Sequence, residues 1–164
     1  MVRLNTHREI EKLIRSKSNG TLFVISDFVG LGSIYAVRKA LSRLVADGTL
    51  VRELRGIYKK PNYNAFIKED IMSTPKEIAY AYARAYGWKI APSGNTALNE
   101  LGISTQVPNV NAFISDGPYR TIVLANKTKI RFKNVPSSEI TNISYEAALI
   151  IEATKYLKKE NITV

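Results

Sequence analysis

The run Gly32-Ser33-Ile34-Tyr35-Ala36-Val37-Arg38-Lys39-Ala40-Leu41-Ser42-Arg43-Leu44-Val45-Ala46-Asp47-Gly48 decides how this chain is read. Successive helical residues turn by about 100°, which puts Ile34, Val37, Leu41, Leu44 and Val45 on one apolar stripe. Tyr35, Lys39, Ser42 and Arg43 gather on the opposite side, with Ala36 and Ala46 between them. Arg38 lies at the edge of the stripe, where its stem packs and its guanidinium reaches solvent or phosphate. Ser33 is the expected N-cap and Gly48 the expected stop. A helix with a small, cationic, hydrogen-bonding outer face suits a DNA major groove.

The neighbouring segments agree with a DNA-binding helix. Thr49 to Lys60 predicts a basic β-ribbon carrying Arg52, Arg55, Lys59 and Lys60, with Gly56 in its turn. Residues 33–60 hold seven basic and two acidic side chains, 7 − 2 = +5, half of the chain's net +10. Before the helix, Thr6-His7-Arg8-Glu9 reads as a capping box opening a first helix to Ser16, with Ile10, Leu13 and Ile14 inward. Leu22 to Ile25 reads as a short strand or buried turn. Ser26-Asp27 opens a brief second helix, closed by Gly30 and Gly32. The order is that of a winged helix-turn-helix over residues 1–62. The candidate DNA contacts are Ser33, Tyr35, Arg38, Lys39, Ser42, Arg43, Arg52, Arg55, Gly56, Tyr58 and Lys59. Lys39 and Arg43 suit base edges or phosphates, and Tyr35 and Ser42 can hydrogen-bond to either.

Residues 63–74 are expected to be a linker, after the break at Pro61-Asn62-Tyr63-Asn64. Residues 75–164 are expected to form a small α+β domain. Thr74, Pro75 and Glu77 give a clear helix start, with Ile78, Ala81, Tyr82 and Ala85 inward. A short helix from Asn95 to Leu101 comes after the turn Pro92-Ser93-Gly94. Strands are predicted at 110–115, 121–125 and 129–133, in a short antiparallel sheet. Asp116-Gly117-Pro118-Tyr119 reads as the turn between the first two. Lys129, Arg131 and Lys133 recur at spacing two, so with Lys127 they make a basic stripe opposite Ile130 and Phe132. That stripe is either a solvated face or a surface for nucleic acid or an acidic partner. The last helix, Ser144 to Lys159, is apolar round most of its circumference. It is expected to cover the Ile130/Phe132 face and leave the stripe outward.

Composition narrows the chemistry. The chain has no cysteine and a single histidine, His7, which excludes thiol nucleophiles and Cys/His metal clusters. The carboxylates form no evident acid/base pair, and Gly30-Leu31-Gly32 is too short for a phosphate-cradling loop. A binding protein is expected rather than an enzyme, with no metal and no cofactor. The first residues lack a signal-peptide core, and no apolar run is long enough to span a bilayer. A soluble cytoplasmic location is the expectation.

Ala36 through Val45 with Gly48 and Arg55-Gly56-Ile57-Tyr58 resembles the N-terminal winged helix of AbiEi-type antitoxins. These belong to type IV toxin–antitoxin systems of abortive infection. Further likeness lies in Pro92-Ser93-Gly94, Ala97-Leu98-Asn99, Leu101 through Pro108, Ser115-Asp116-Gly117-Pro118 and Ile130-Arg131-Phe132-Lys133. The Gly102-Ile103-Ser104-Thr105-Gln106-Val107-Pro108 block is the most distinctive cue. The resemblance spans about residues 6–155. It implies operator DNA as one partner, autorepression, and neutralisation of a nucleotidyltransferase-like toxin. The chain stops soon after its last helix, where members of that family often continue. The alternative is a winged-helix regulator whose second domain senses a ligand or dimerises.

Overall fold

Helix α1 runs over the expected span, Thr6–Ser16, but Asn5 takes the capping place that the capping-box pattern gives to Thr6. Asn5 is the N-cap, and its Oδ1 accepts the Arg8 amide at 3.4 Å. The computed structural model describes residues 5–161, and the first residues, expected to lack a signal-peptide core, lie partly outside them. Strand β1, Leu22–Val24, leads into a 3-10 turn, Ile25–Phe28, in place of the expected second helix. Asp27 ties that turn by accepting the Val24 amide at 2.8 Å. Helix α2, Ile34–Ala46, is capped by Ser33, whose Oγ accepts the Ala36 amide at 3.2 Å. Gly48 ends it at φ +81°, a left-handed conformation that favours glycine.

Strands β2, Val51–Leu54, and β3, Ile57–Lys59, form a hairpin turned at Gly56, φ +82°. With β1 they make an antiparallel sheet in the order β1-β3-β2. Ile10, Ile14, Phe23, Phe28, Val37, Ala40, Leu41, Leu44, Leu50 and Tyr58 share one core. Residues 61–74 are not a bare linker. Two-residue strands β4, Tyr63–Asn64, and β5, Glu69–Asp70, pair as a small hairpin. Helix α3, Pro75–Tyr86, carries the predicted capping box: Thr74 Oγ1 accepts the Glu77 amide and Glu77 accepts the Thr74 amide at 2.7 Å.

The chain divides into two compact units, one to Ala85 and one from Tyr86. The division falls about ten residues after the expected linker. The cause is packing: Ala81 joins Val24 and Ile57 in one buried cluster, and Arg84 pairs with Asp27 at 3.0 Å. Helix α3 therefore belongs with the first unit.

The second unit is also mixed α+β, but its sheet differs from expectation. It contains strands β6, Ile90–Pro92; β7, Val110–Ser115; β8, Arg120–Val123; and β9, Lys129–Asn134. The order is β6-β7-β9-β8, and the β7–β9 pair is parallel. Residues 116–119 thus do not close a hairpin. A side chain at Gly117 would overlap the Trp88 indole, and the Gly117 carbonyl accepts from Asn134 Nδ2 at 2.8 Å. That anchoring carries the chain past β7, so β9 returns between β7 and β8. Helix α4, Gly94–Glu100, and helix α5, Tyr145–Asn161, pack through Ala97, Leu98, Leu149 and Ala153.

Helix α5 does not cover the Ile130/Phe132 face. Its Ala148 meets Ala91 and Ile114, and Ile114 pairs with Lys133 in the β7–β9 register. Directly paired residues point to the same side of a sheet, so α5 shares the face of the cationic stripe. Ile130 and Phe132 are buried on the other face, where Trp88 meets Phe132 edge-on at 5.8 Å.

Candidate nucleic-acid interface

The outer face of α2 takes its shape from what its inner face must bury. Val37, Ala40, Leu41 and Leu44 are all inside, which turns Tyr35, Arg38, Lys39, Ser42 and Arg43 to the exterior. Tyr35 is 74% exposed. Ser33 is exposed as well, although its hydroxyl is engaged in the cap. Ile34, placed on the apolar stripe by its spacing, is 63% exposed. It sits at the stripe's edge in the first turn, beyond the residues that cover Val37 and Leu41.

On the hairpin, Arg52 of β2 and Arg55, beside Gly56 in the turn, are exposed. None of Arg38, Lys39, Arg43, Arg52 and Arg55 pairs with a carboxylate among the described residues, so five positive charges are left without a partner. The acidic neighbours are otherwise engaged. Asp47 accepts the Thr49 amide at 2.9 Å. Hydrogen bonds from the Thr49 side chain and backbone, ahead of smaller pulls from His7 and Arg15, hold its carboxyl below the usual range.

Two expected contacts do not belong to the interface. Tyr58 is part of the core, and Lys59 is only 2% exposed. Lys59 Nζ lies 2.6 Å from Asp70 and 3.7 Å from Glu53, and donates to the Ile71 carbonyl at 2.5 Å. The reason is position. Strand β3 is the central strand, covered on both sides, so the alternation that exposes a ribbon's outer face fails there. Lys60 is also withdrawn, because its Nζ caps the end of α1 through the Arg15 and Lys17 carbonyls.

The structure adds residues that sequence reasoning missed. Lys39 and Arg43 line a cleft of about 480 Å³ together with Asn5, Thr6, His7, Ala36 and Ala40. The start of α1 comes this close because Gly32 has no side chain; a Cβ there would overlap Thr6. The available signal is Gly32 itself, which local pattern assigns only to a turn.

In the second unit, Lys127, Lys129, Arg131 and Lys133 are all exposed, and none has a carboxylate partner among the described residues. Helix α5 leaves Ile150 57% and Ile151 41% exposed. Its Glu152 is buried and held by Lys155 at 3.1 Å. Among the described residues no three His, Asp or Glu side chains gather as a metal site, and no helix is long and apolar enough to cross a membrane.

The chain matches the model of a family of unknown function (DUF6088) over residues 9–164 and belongs to that family. Neither a curated protein nor a solved structure matches it.

Proposed function

We propose that this DUF6088 protein binds double-stranded DNA through its first unit, acting as a winged helix-turn-helix autorepressor. One observation carries the reading: five cations with no carboxylate partner among the described residues, Arg38, Lys39, Arg43, Arg52 and Arg55, stand exposed on one helix and the hairpin that comes after it. Helix α2 supplies the groove-reading element and the β2–β3 hairpin the wing. Tyr35 and Ser42, on the outermost ridge, offer hydrogen bonds to base edges. Under this reading the chain is a cytoplasmic binding protein, not an enzyme.

The second unit is proposed to neutralise a nucleotidyltransferase-like toxin, as the resemblance to AbiEi-type antitoxins implies. The stripe Lys127, Lys129, Arg131 and Lys133 and the exposed isoleucines of α5 are its candidate contacts. The exposed α5 face equally favours a regulator that dimerises through its second unit.

The DNA reading is tested by gel shift on the segment upstream of the chain's own reading frame. Five neutralised phosphates predict a log K against log [salt] slope of about −4 to −5. A slope near zero would remove these cations from the interface. For the second unit, Lys129, Arg131 and Lys133 are changed together to glutamate. The fold should persist and rescue from toxin-induced growth arrest should fall. Full rescue accompanied by loss of a native dimer would favour the regulator instead.

A further inference from the structure

We propose that the cleft between the start of α1 and the flank of α2 seats one phosphate of the DNA backbone. Lys39 and Arg43 supply the charge, while Asn5, Thr6 and His7 line the opposite wall. The inference rests on the DNA-binding reading and divides its contacts into two kinds. On the helical wheel Arg43, Ala36 and Ala40 lie on the flank toward α1, with Lys39 between that flank and the ridge. Tyr35 and Ser42 occupy the ridge itself, and Arg38 lies on the far flank. A side chain on the ridge points into the groove that the helix enters. A side chain folded into a cleft against a second helix is offset from the base edges and placed beside the groove wall, which is sugar and phosphate.

Three features suit this cleft to an anion. Lys39 and Arg43 converge on it with no carboxylate partner among the described residues. His7 lines the wall, and its Nδ1 is buried with no hydrogen-bond partner among the described residues. A buried polar atom left unpaired is costly, so an acceptor arriving in the cleft gives the ring a reason to turn and donate. The wall is also preformed: Thr6 is seated against Gly32, immediately before α2, so a phosphate would bind without ordering a loop. An Arg43 guanidinium offers the forked donors that match phosphate oxygens, beside the single ammonium of Lys39.

The test uses the full chain, a generic duplex of about 25 base pairs and inorganic phosphate. Arg43→Ala should weaken duplex binding about tenfold on any sequence and make the salt slope shallower by about one. Arg43→Lys should keep the slope. Tyr35→Ala should leave the slope unchanged and blur sequence preference. His7 is the sole histidine, so its Hε1 proton is a single reporter by NMR. That resonance should move when the duplex is added, including in Arg52→Ala, which retains the cleft. If the duplex binds but neither Arg43→Ala nor the His7 resonance responds, the phosphate seat is overturned and the DNA reading stands. If the duplex does not bind and inorganic phosphate still moves the resonance, the cleft takes a free phosphate group and the DNA occupant is overturned. If neither ligand has any effect, the seat and the DNA reading both fall.

Discussion

Lys59 shows how one residue can serve the fold while looking like part of a binding surface. In sequence it comes after Arg52 and Arg55 on a basic ribbon, and the chain's net charge makes another DNA contact the natural reading. In the structure it is buried under the β4–β5 hairpin and joined to Asp70, Glu53 and the Ile71 carbonyl. Asp70 in turn accepts the Asn62 amide, so this lysine pins the hairpin's base to the sheet. Burial alone would raise the Asp70 carboxyl. The Lys59 hydrogen bond, the Asn62 amide and the Lys59 charge outweigh it and bring the carboxyl below its usual range. A carboxyl depressed in the native state stabilises it fully above the unfolded-state pKa, and that contribution disappears as pH falls through the native one. Removing one partner of a buried pair is costly, but Asp70 is 37% exposed and water offsets part of the loss. Lys59→Met should therefore cost about 1–3 kcal/mol at neutral pH by urea denaturation. The gap to the native chain should narrow in acid, and duplex affinity should stay the same. A loss of affinity without a loss of stability would return Lys59 to the interface.

At the scale of elements, α2 is legible in sequence because its two jobs use different residues. Every third or fourth position must be apolar to fill the core, and those between are free to be cationic. Leu41→Ala, at 0% exposure, should cost roughly 2–5 kcal/mol, whereas Lys39→Ala and Arg43→Ala should leave stability within about 0.5 kcal/mol. Equal destabilisation by all three would mean the helix is not divided in this way. The second unit is less legible for a physical reason. Period-two alternation gives the faces of β9 correctly, with Ile130 and Phe132 buried and Lys129, Arg131 and Lys133 exposed. It carries no information about which strand lies alongside, or which face a helix will cover. The turn residues 116–119 suit a hairpin locally, but Gly117 is there to admit Trp88, a contact 29 positions away in sequence. Likewise the cleft at His7 depends on Thr6 of α1 meeting Gly32 in the turn before α2, 26 positions apart. Local pattern finds the surface of one element and misses a site shared by two.

For the whole molecule the decisive question is where the first unit ends, because an isolated DNA-binding fragment must contain everything its core needs. Proline, asparagine and tyrosine at 61–64 look like a boundary, and a cut at residue 74 would respect every sequence signal. The structure argues against it. Helix α3 lays Ala81 on Val24 and Ile57, with Tyr82 packed beside them, and Arg84 bonds both Asp27 and the Leu22 carbonyl at 3.0 Å. Val24 and Ile57 lie on paired positions of β1 and β3, so they form the sheet face turned away from α1 and α2. Without α3 that face meets water, and the sheet is left with one bare side. A fragment of residues 1–85 should unfold in a single cooperative transition and bind duplex with nearly the affinity of the full chain. A fragment of residues 1–74 should lose roughly 2–4 kcal/mol from the missing packing and the Arg84 bonds. It should bind apolar dyes and melt broadly, while its α2 residues remain chemically intact. Equal stability of the two fragments would show that α3 is dispensable to the first unit. Tight binding by the full chain, set against a stable but non-binding 1–85 fragment, would show that the second unit's basic stripe also carries nucleic-acid affinity.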